Sequence, residues 1–186
     1  MAHAGALRKI QRYITTHDSE GKAIFSDAIP TESESKPLPD GMGFALSYLT
    51  KGFPVDLNND ADIKVYQPFL DDAPGLVTSG GTVLRHVDFP PNNKVLMHRT
   101  VSLDYGVVLE GEVELILEDL EKGEKRIMKR GDVCIQRATM HAWRNTSETE
   151  WCRMMFVLQP SKEIVIGDKV LGEDLGFAKG VIKESH

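Results

Sequence analysis

His98, Asp104 and His141 are the residues of this chain whose types and spacing best suit chemistry. They lie in two stretches, H-R-T-V-S-L-D-Y-G-V-V-L-E-G from His98 and G-D-V-C-I-Q-R-A-T-M-H-A-W-R-N from Gly131. Two imidazoles and a carboxylate make a set that suits divalent iron, and also zinc or manganese. Three protein ligands leave positions open for water and substrate, as a catalytic metal requires. The same groups without metal make a proton-transfer site, because imidazole titrates near neutrality and a neighbouring carboxylate can fix its tautomer. A lone histidine is more often a satisfied core or loop residue. The chemical reading rests on the pair occurring together with Asp104.

Strands must carry these residues. From Pro74 onward, short runs such as T-V-L-R-H-V-D-F, K-V-L-M-H, V-E-L-I-L-E and W-C-R-M-M-F-V-L alternate with turn signals. Many short strands with regular turns indicate an all-β sandwich or barrel. Alternation along each strand decides which side chains meet. It groups His98 with Leu96 and Thr100, Asp104 with Gly106 and Val108, and His141 with Trp143 and Asn145. Gly106 lacks a side chain and is expected to leave open volume beside Asp104. In a closed antiparallel sheet the three chemical residues converge in one cavity.

Upstream, R-Y-I-T-T-H-D-S-E-G-K-A-I-F reads as two short strands around a turn ending at Gly21, where glycine supplies the backbone freedom a tight turn needs. The proline-bearing stretch from Ile29 to Asp40 reads as a loop or arm. G-F-A-L-S-Y-L-T from Gly43 reads as another strand, F-P-V-D-L-N-N-D-A-D as a polar connection, and K-V-L-G-E-D-L-G-F from Lys169 as one short helix. The division expected is a β-rich N-terminal arm over 1–74, a barrel over 75–160 and a tail over 161–186.

The chain has 186 residues and a formal net charge of -6. That length suits one domain with an extension. The charge argues against nucleic acid as a partner, since phosphate binding needs surplus Lys and Arg on one face. No apolar run approaches the roughly 20 residues that cross a bilayer. The opening M-A-H-A-G-A-L-R-K-I has no signal-peptide core. Cys134 and Cys152, both in β-patterned runs, read as buried free thiols. A reducing, cytoplasmic setting is the resulting expectation.

The stretch Gly80–Pro160 resembles the cupin superfamily. The first family pattern, G-x5-H-x-H-x3-4-E-x6-G, is met by His98, Thr100, Asp104 and Gly111. The second, G-x5-P-x-G-x2-H-x3-N, is met by Gly131, Gln136, Ala138, His141 and Asn145, one residue shorter. The resemblance implies a double-stranded β-helix, or jelly-roll, barrel. It also implies a four-ligand metal site, which is incomplete here. Thr100 stands where the family has a second histidine, Asp104 where it has glutamate, and Gln136 and Ala138 where it has proline and glycine. The cofactor expectation is therefore none, or one divalent metal (Fe, Zn or Mn) held weakly by His98, Asp104 and His141. The phrases T-H-D-S-E-G-K-A-I-F, V-D-F-P-P and Q-R-A-T-M-H-A-W-R-N further resemble small stand-alone cupins of fungi and bacteria. Fungal members of that kind are often encoded beside polyketide synthases, which implies secondary metabolism.

Thr100, Arg137, Trp143 and Tyr48 are the substrate-binding candidates. Arg137 precedes His141 and has the planar fork that holds a carboxylate or phenolate. Trp143 and Tyr48 would form aromatic walls. Arg99 alternates away from His98, towards a surface or dimer salt bridge. His86 and Asp88 share one strand face and could add a second polar pair. A small molecule is the partner expected, with a homodimer formed through the N-terminal arm and an outer sheet edge. Three functions fit: a lyase- or isomerase-like enzyme (decarboxylation, dehydration or tautomerisation), a non-haem iron oxygenase, and a non-catalytic metabolite-binding barrel. Fold alone does not choose among them.

Overall fold

The period-two patterning is realised as two facing antiparallel sheets. The computed structural model describes residues 7–183 and Ser185, so the outer ends of the 1–74 arm and the 161–186 tail lie outside the described residues. Five short strands open the chain: β1 (Ile10–Gln11), β2 (Thr15–His17), β3 (Ala23–Phe25), β4 (Glu32–Ser33) and β5 (Lys36–Pro37). The body follows as β6 (Gly43–Lys51), helix α1 (Ala61–Tyr66), β7 (Gly81–Phe89), β8 (Ser102–Glu110), β9 (Glu112–Leu117), β10 (Lys125–Lys129), β11 (Val133–Arg137), β12 (His141–Asn145) and β13 (Cys152–Pro160). A hairpin of β14 (Ile164–Ile166) and β15 (Lys169–Leu171) leads into the tail.

One sheet has six strands in the order β11-β8-β13-β7-β6-β5, and the sheet facing it has three, β10-β9-β12. This is the jelly-roll architecture that the resemblance implies. The inner faces follow from alternation: Val83 and Val87 on β7, Val108 on β8, Val113 on β9 and Met154 on β13 are all buried. Burying such side chains is worth roughly 1.5–3 kcal/mol each and holds the sheets together. Between β8 and β9 the chain leaves one sheet for the other at Gly111, whose φ is +74°. A Cβ there would stand 3.1 Å from the Cys152 backbone, so both conformation and space call for glycine.

The N-terminal arm covers the outer face of β6 and β7. Its hairpin turns on Asp18, whose carboxylate accepts backbone N–H groups of Glu20 and Lys22 at 2.9 Å each. Arg12 reaches the Ser47 carbonyl at 3.2 Å and the Tyr66 hydroxyl at 2.6 Å. Beneath the arm, Ser33 Oγ lies 3.2 Å from Ser47 Oγ, and Ser47 Oγ lies 2.7 Å from His86 Nδ1. Asp88 takes a fork from Arg153 at 2.5 and 2.6 Å. His86 and Asp88 therefore do share a face, but it is the one under the arm and not the barrel interior. Burial draws the His86 pKa down to about 4. Strand β6 is itself a member of the large sheet, between β5 and β7.

Three local expectations change. The tail forms no helix over Lys169–Phe177 but strand β15 and a single 3-10 turn, Gly176–Ala178. There Asp174 exchanges both backbone hydrogen bonds with Arg99 instead of with its own helix. Arg99 is thus tied to the tail of its own chain, and its Nε also donates to the Gly172 carbonyl at 2.7 Å. The K-V-L-M-H run is an irregular segment in which His98 makes an isolated bridge to His141. The polar connection after Lys51 contains α1, whose Ile63 and Tyr66 are buried. Among the described residues no helix is long and apolar enough to cross a membrane.

Candidate active site

The barrel interior encloses a cavity of about 60 Å³ whose lining includes His98, Thr100, Asp104, His141 and Trp143. Each is brought there by a different device. Asp104 is on the inward face of β8 with Ser102, Gly106 and Val108. His141 opens β12. His98 has no regular strand of its own: the amides of His98 and His141 each donate to the other's carbonyl at 2.9 Å. Asn93 reinforces that docking, donating to the Trp143 carbonyl at 3.1 Å and accepting the Asn145 amide at 2.8 Å. The two imidazoles consequently sit with ring centroids 4.3 Å apart. Trp143 meets His141 edge-on at 5.5 Å and Phe156 at 5.6 Å.

The polarity of each imidazole is set by its neighbours. His98 Nδ1 lies 3.2 Å from the Leu96 carbonyl. A carbonyl only accepts, so the proton is on Nδ1 and Nε2 keeps its lone pair. At His141 the ordering group is Gln136. Its Oε1 accepts the Thr139 amide at 3.0 Å and the Thr139 hydroxyl at 3.1 Å, which fixes which end of the amide is oxygen. Gln136 Nε2 then faces His141 Nδ1 at 2.9 Å as a donor. The Thr139 carbonyl is also 3.0 Å from Nδ1, but a proton on Nδ1 would meet the Gln136 N–H head-on. Gln136 Nε2 is also 3.4 Å from the Thr139 carbonyl and supplies that oxygen with a donor, so Nδ1 of His141 is assigned as the acceptor and Nε2 as the hydrogen-bearing nitrogen. This tautomer is assigned from the hydrogen-bond network. Nε2 of neither ring bonds to any described residue.

Both rings are held neutral. Burial lowers the His98 pKa, and burial together with the nearby His98 pulls His141 down to about 3. Asp104 shifts the other way, raised by burial to about 7 against the opposing pull of the Ser102 and Thr100 hydroxyls. Its Oδ1 is buried without a hydrogen-bond partner. The cavity thus combines a lone-pair nitrogen, an N–H donor and a carboxyl that changes state near neutrality, a grouping typical of acid–base sites.

The remaining candidates divide. Thr100 and Trp143 line the cavity; Tyr48 and Arg137 do not. Tyr48 donates its hydroxyl to Asp62 of α1 at 2.6 Å, and its ring lies 4.7 Å from Tyr66. Alternation on β11 turns Cys134 and Gln136 inwards and leaves Arg137 exposed. The space beside Gly106 is filled, since a Cβ there would stand 2.9 Å from the Phe156 ring. Cys152 is fully buried and Cys134 half-buried, both free. Two residues that sequence reasoning missed belong to the site. Gln136 was noted only as a departure from the family pattern. Arg85 lines the cavity, and its signal was visible: it interrupts the inward apolar set Val83, Val87 and Phe89.

A cupin domain family model matches residues 85–158. Phomopsin biosynthesis cluster protein D of Diaporthe leptostromiformis is 48% identical over 171 residues, covering 92% of this chain and 89% of that protein. The chain belongs to the cupin family. Oryzines biosynthesis cluster protein J of Aspergillus oryzae is 42% identical over 92% of this cupin and 94% of its own length. The cupin-domain-containing oxidoreductase virC of Hypocrea virens is 44% identical over 89% of this cupin and 83% of that protein.

A cupin barrel implies a divalent metal, and the residues present here do not fit one. Among the described residues no three His, Cys, Asp or Glu side chains are grouped to hold an ion. His98, Asp104 and His141 share the cavity without forming a ligand set.

Proposed function

We propose that this cupin is a small-molecule enzyme of secondary metabolism that moves a proton on an activated carbonyl compound. Membership of biosynthetic clusters, stated in the names of its relatives, supports the setting. The observation that carries the chemistry is the pair of imidazoles 4.3 Å apart in one cavity with Asp104; their assigned tautomers give them opposite polarity, Nε2 bare on His98 and hydrogen-bearing on His141. His98 Nε2 takes the proton from a carbon between two carbonyl groups. The C–H electrons move into the new carbon–carbon double bond, and the carbonyl π electrons move to oxygen. That oxygen accepts a hydrogen bond from His141 Nε2–H, which stabilises charge where it develops. Asp104, protonated below about pH 7, delivers a proton either to the enolate oxygen, completing tautomerisation, or to a β-hydroxyl that leaves as water. A base of lowered pKa suits the acidic hydrogens of β-dicarbonyl compounds.

The test is exchange of the acidic hydrogens of aryl β-keto acids into deuterium oxide, followed by proton NMR on chelator-treated protein. Exchange above the buffer rate is expected. His98→Ala is expected to lower it by about 100-fold or more, within the usual range for general acid–base groups. Unaltered exchange in both His98→Ala and His141→Ala would remove these residues from the chemistry. A second reading is favoured by the name of the virC relative: an oxidoreductase. Turnover that requires added iron and consumes oxygen would replace the proposal with that reading.

A further inference from the structure

Arg85 is buried at 5% exposure on the inward face of β7, and no carboxylate among the described residues forms an ion pair with it. Its one hydrogen bond among the described residues runs from Nη2 to the Gly75 carbonyl at 3.0 Å. Nε is buried and unpartnered. The guanidinium lies 5.3 Å over the Phe44 ring. Burial draws its pKa to about 10, so it stays cationic at neutral pH. The other buried arginine of this sheet is treated differently. Arg153 is forked by Asp88 at 2.5 and 2.6 Å and also donates to the Arg8 carbonyl. A buried guanidinium without an anion is costly to maintain, and its fork matches a carboxylate.

Position gives Arg85 a use. It lines the His98–Asp104–His141 cavity, and it also lines a cleft of about 600 Å³ between the N-terminal arm and the tail. Phe44 and Ile182 are the other residues common to both. Arg85 therefore stands at the wall between the outer cleft and the chemical groups. The charged side chains of the cleft are of both signs, with Arg12, Lys36 and Lys183 beside Glu32, Glu34, Asp71 and Asp72. Lys183 is paired with Asp72, and Lys36 is taken up by the Leu70 and Asp71 carbonyls.

We propose that Arg85 is the seat for a substrate carboxylate, so that this cupin acts on small organic acids whose anionic end pairs with Arg85 while the reacting carbon faces the imidazole pair. The proposal deepens the acid–base reading and rests on it for the role of the far end. Pairing with a guanidinium stabilises a carboxylate against departure as carbon dioxide. The acid group is thus a handle, which favours dehydration or tautomerisation over decarboxylation.

The seat is tested by binding alone, with benzoate and phenylacetate against benzamide and phenylacetamide, by calorimetry and saturation-transfer NMR on the full chain. The acids are expected to bind at least about 10-fold more tightly than the amides, a difference of about 1.4 kcal/mol. Arg85→Gln is expected to erase that preference and Arg85→Lys to keep part of it. Equal binding of acid and amide, or an undiminished preference in folded Arg85→Gln, would overturn the seat. Should Arg85→Gln fail to fold, the Arg85 Nε–H resonance of the wild-type protein decides. It is expected to shift on benzoate addition, and an unmoved resonance overturns the proposal. Carboxylate binding without hydrogen exchange would sink the acid–base reading and leave the seat standing. Exchange on neutral β-diketones that is the same in wild type and Arg85→Gln, with no acid preference, would do the reverse.

Discussion

Replacing Asp104 by Asn tests the electrostatics of the cavity directly. A carboxyl at 4% exposure, with one oxygen unpartnered, favours its neutral form, and its pKa rises from 3.8 to about 7. The sign is opposite to that of a salt-bridged aspartate. Below the unfolded value the group is protonated in both states and carries no penalty. Between the two values the folded protein holds a proton that the unfolded chain releases, so stability falls as pH rises. Above the folded value the penalty is complete. A shift of roughly three units at about 1.4 kcal/mol each sets a ceiling of about 4 kcal/mol. His98 and His141 act in the other direction: their folded values lie below 6.5, so their contribution is lost as pH falls. Both remain in Asp104→Asn, and subtracting the two pH profiles cancels them. Urea unfolding from about pH 4 to about pH 8 should show the variant gaining on wild type by up to about 1.4 kcal/mol per unit, then a plateau. A difference that is flat across this range, or that shrinks as pH rises, would refute the reasoning.

Two further outcomes follow from other contacts. Gln136→Leu removes the donor that orders His141, so Nδ1–H turns to the Thr139 carbonyl and the lone pair moves to the cavity side. Long-range proton–nitrogen NMR should show Nε2–H in wild type and Nδ1–H in the variant, with kcat reduced and KM little changed; an Nδ1–H wild type would contradict the assignment. Asp88→Ala leaves Arg153 buried and unpaired, at a cost of about 3–5 kcal/mol in chemical denaturation, and adding Arg153→Met should recover much of it. A loss under about 1 kcal/mol would mean that the pair is not closed in solution.

Much of the architecture was legible in the linear pattern, because strand alternation is a local property. Residues Asp104, Gly106 and Val108 on one face and the hairpin whose turn ends at Gly21 needed only period two and turn chemistry. Thr100 and Trp143 were placed in the cavity by the same rule. The rule failed where a residue is held by something remote. Tyr48 lies on a strand whose sequence register shifts between Leu46 and Tyr48, and its hydroxyl goes to a helix that the sequence had hidden in a polar connection. Arg137 was assigned by nearness to His141 along the chain, whereas alternation from Gln136 turns it outwards. Arg85 was passed over because a charged residue in a strand ordinarily faces water.

The sequence by itself determined an all-β chain of short strands and marked His98, Asp104 and His141 as the candidates for chemistry, from residue type and short-range spacing; the jelly roll and the incomplete ligand set were what its resemblance to the cupin superfamily implied. Tertiary structure alone decided how the groups behave. Burial made Asp104 a near-neutral titrant, Gln136 came within 2.9 Å of His141 Nδ1, and Arg85 was left without an ion pair among the described residues on the inward face of its strand. Each depends on which polar atoms, distant in the chain, end within about 3 Å of one another.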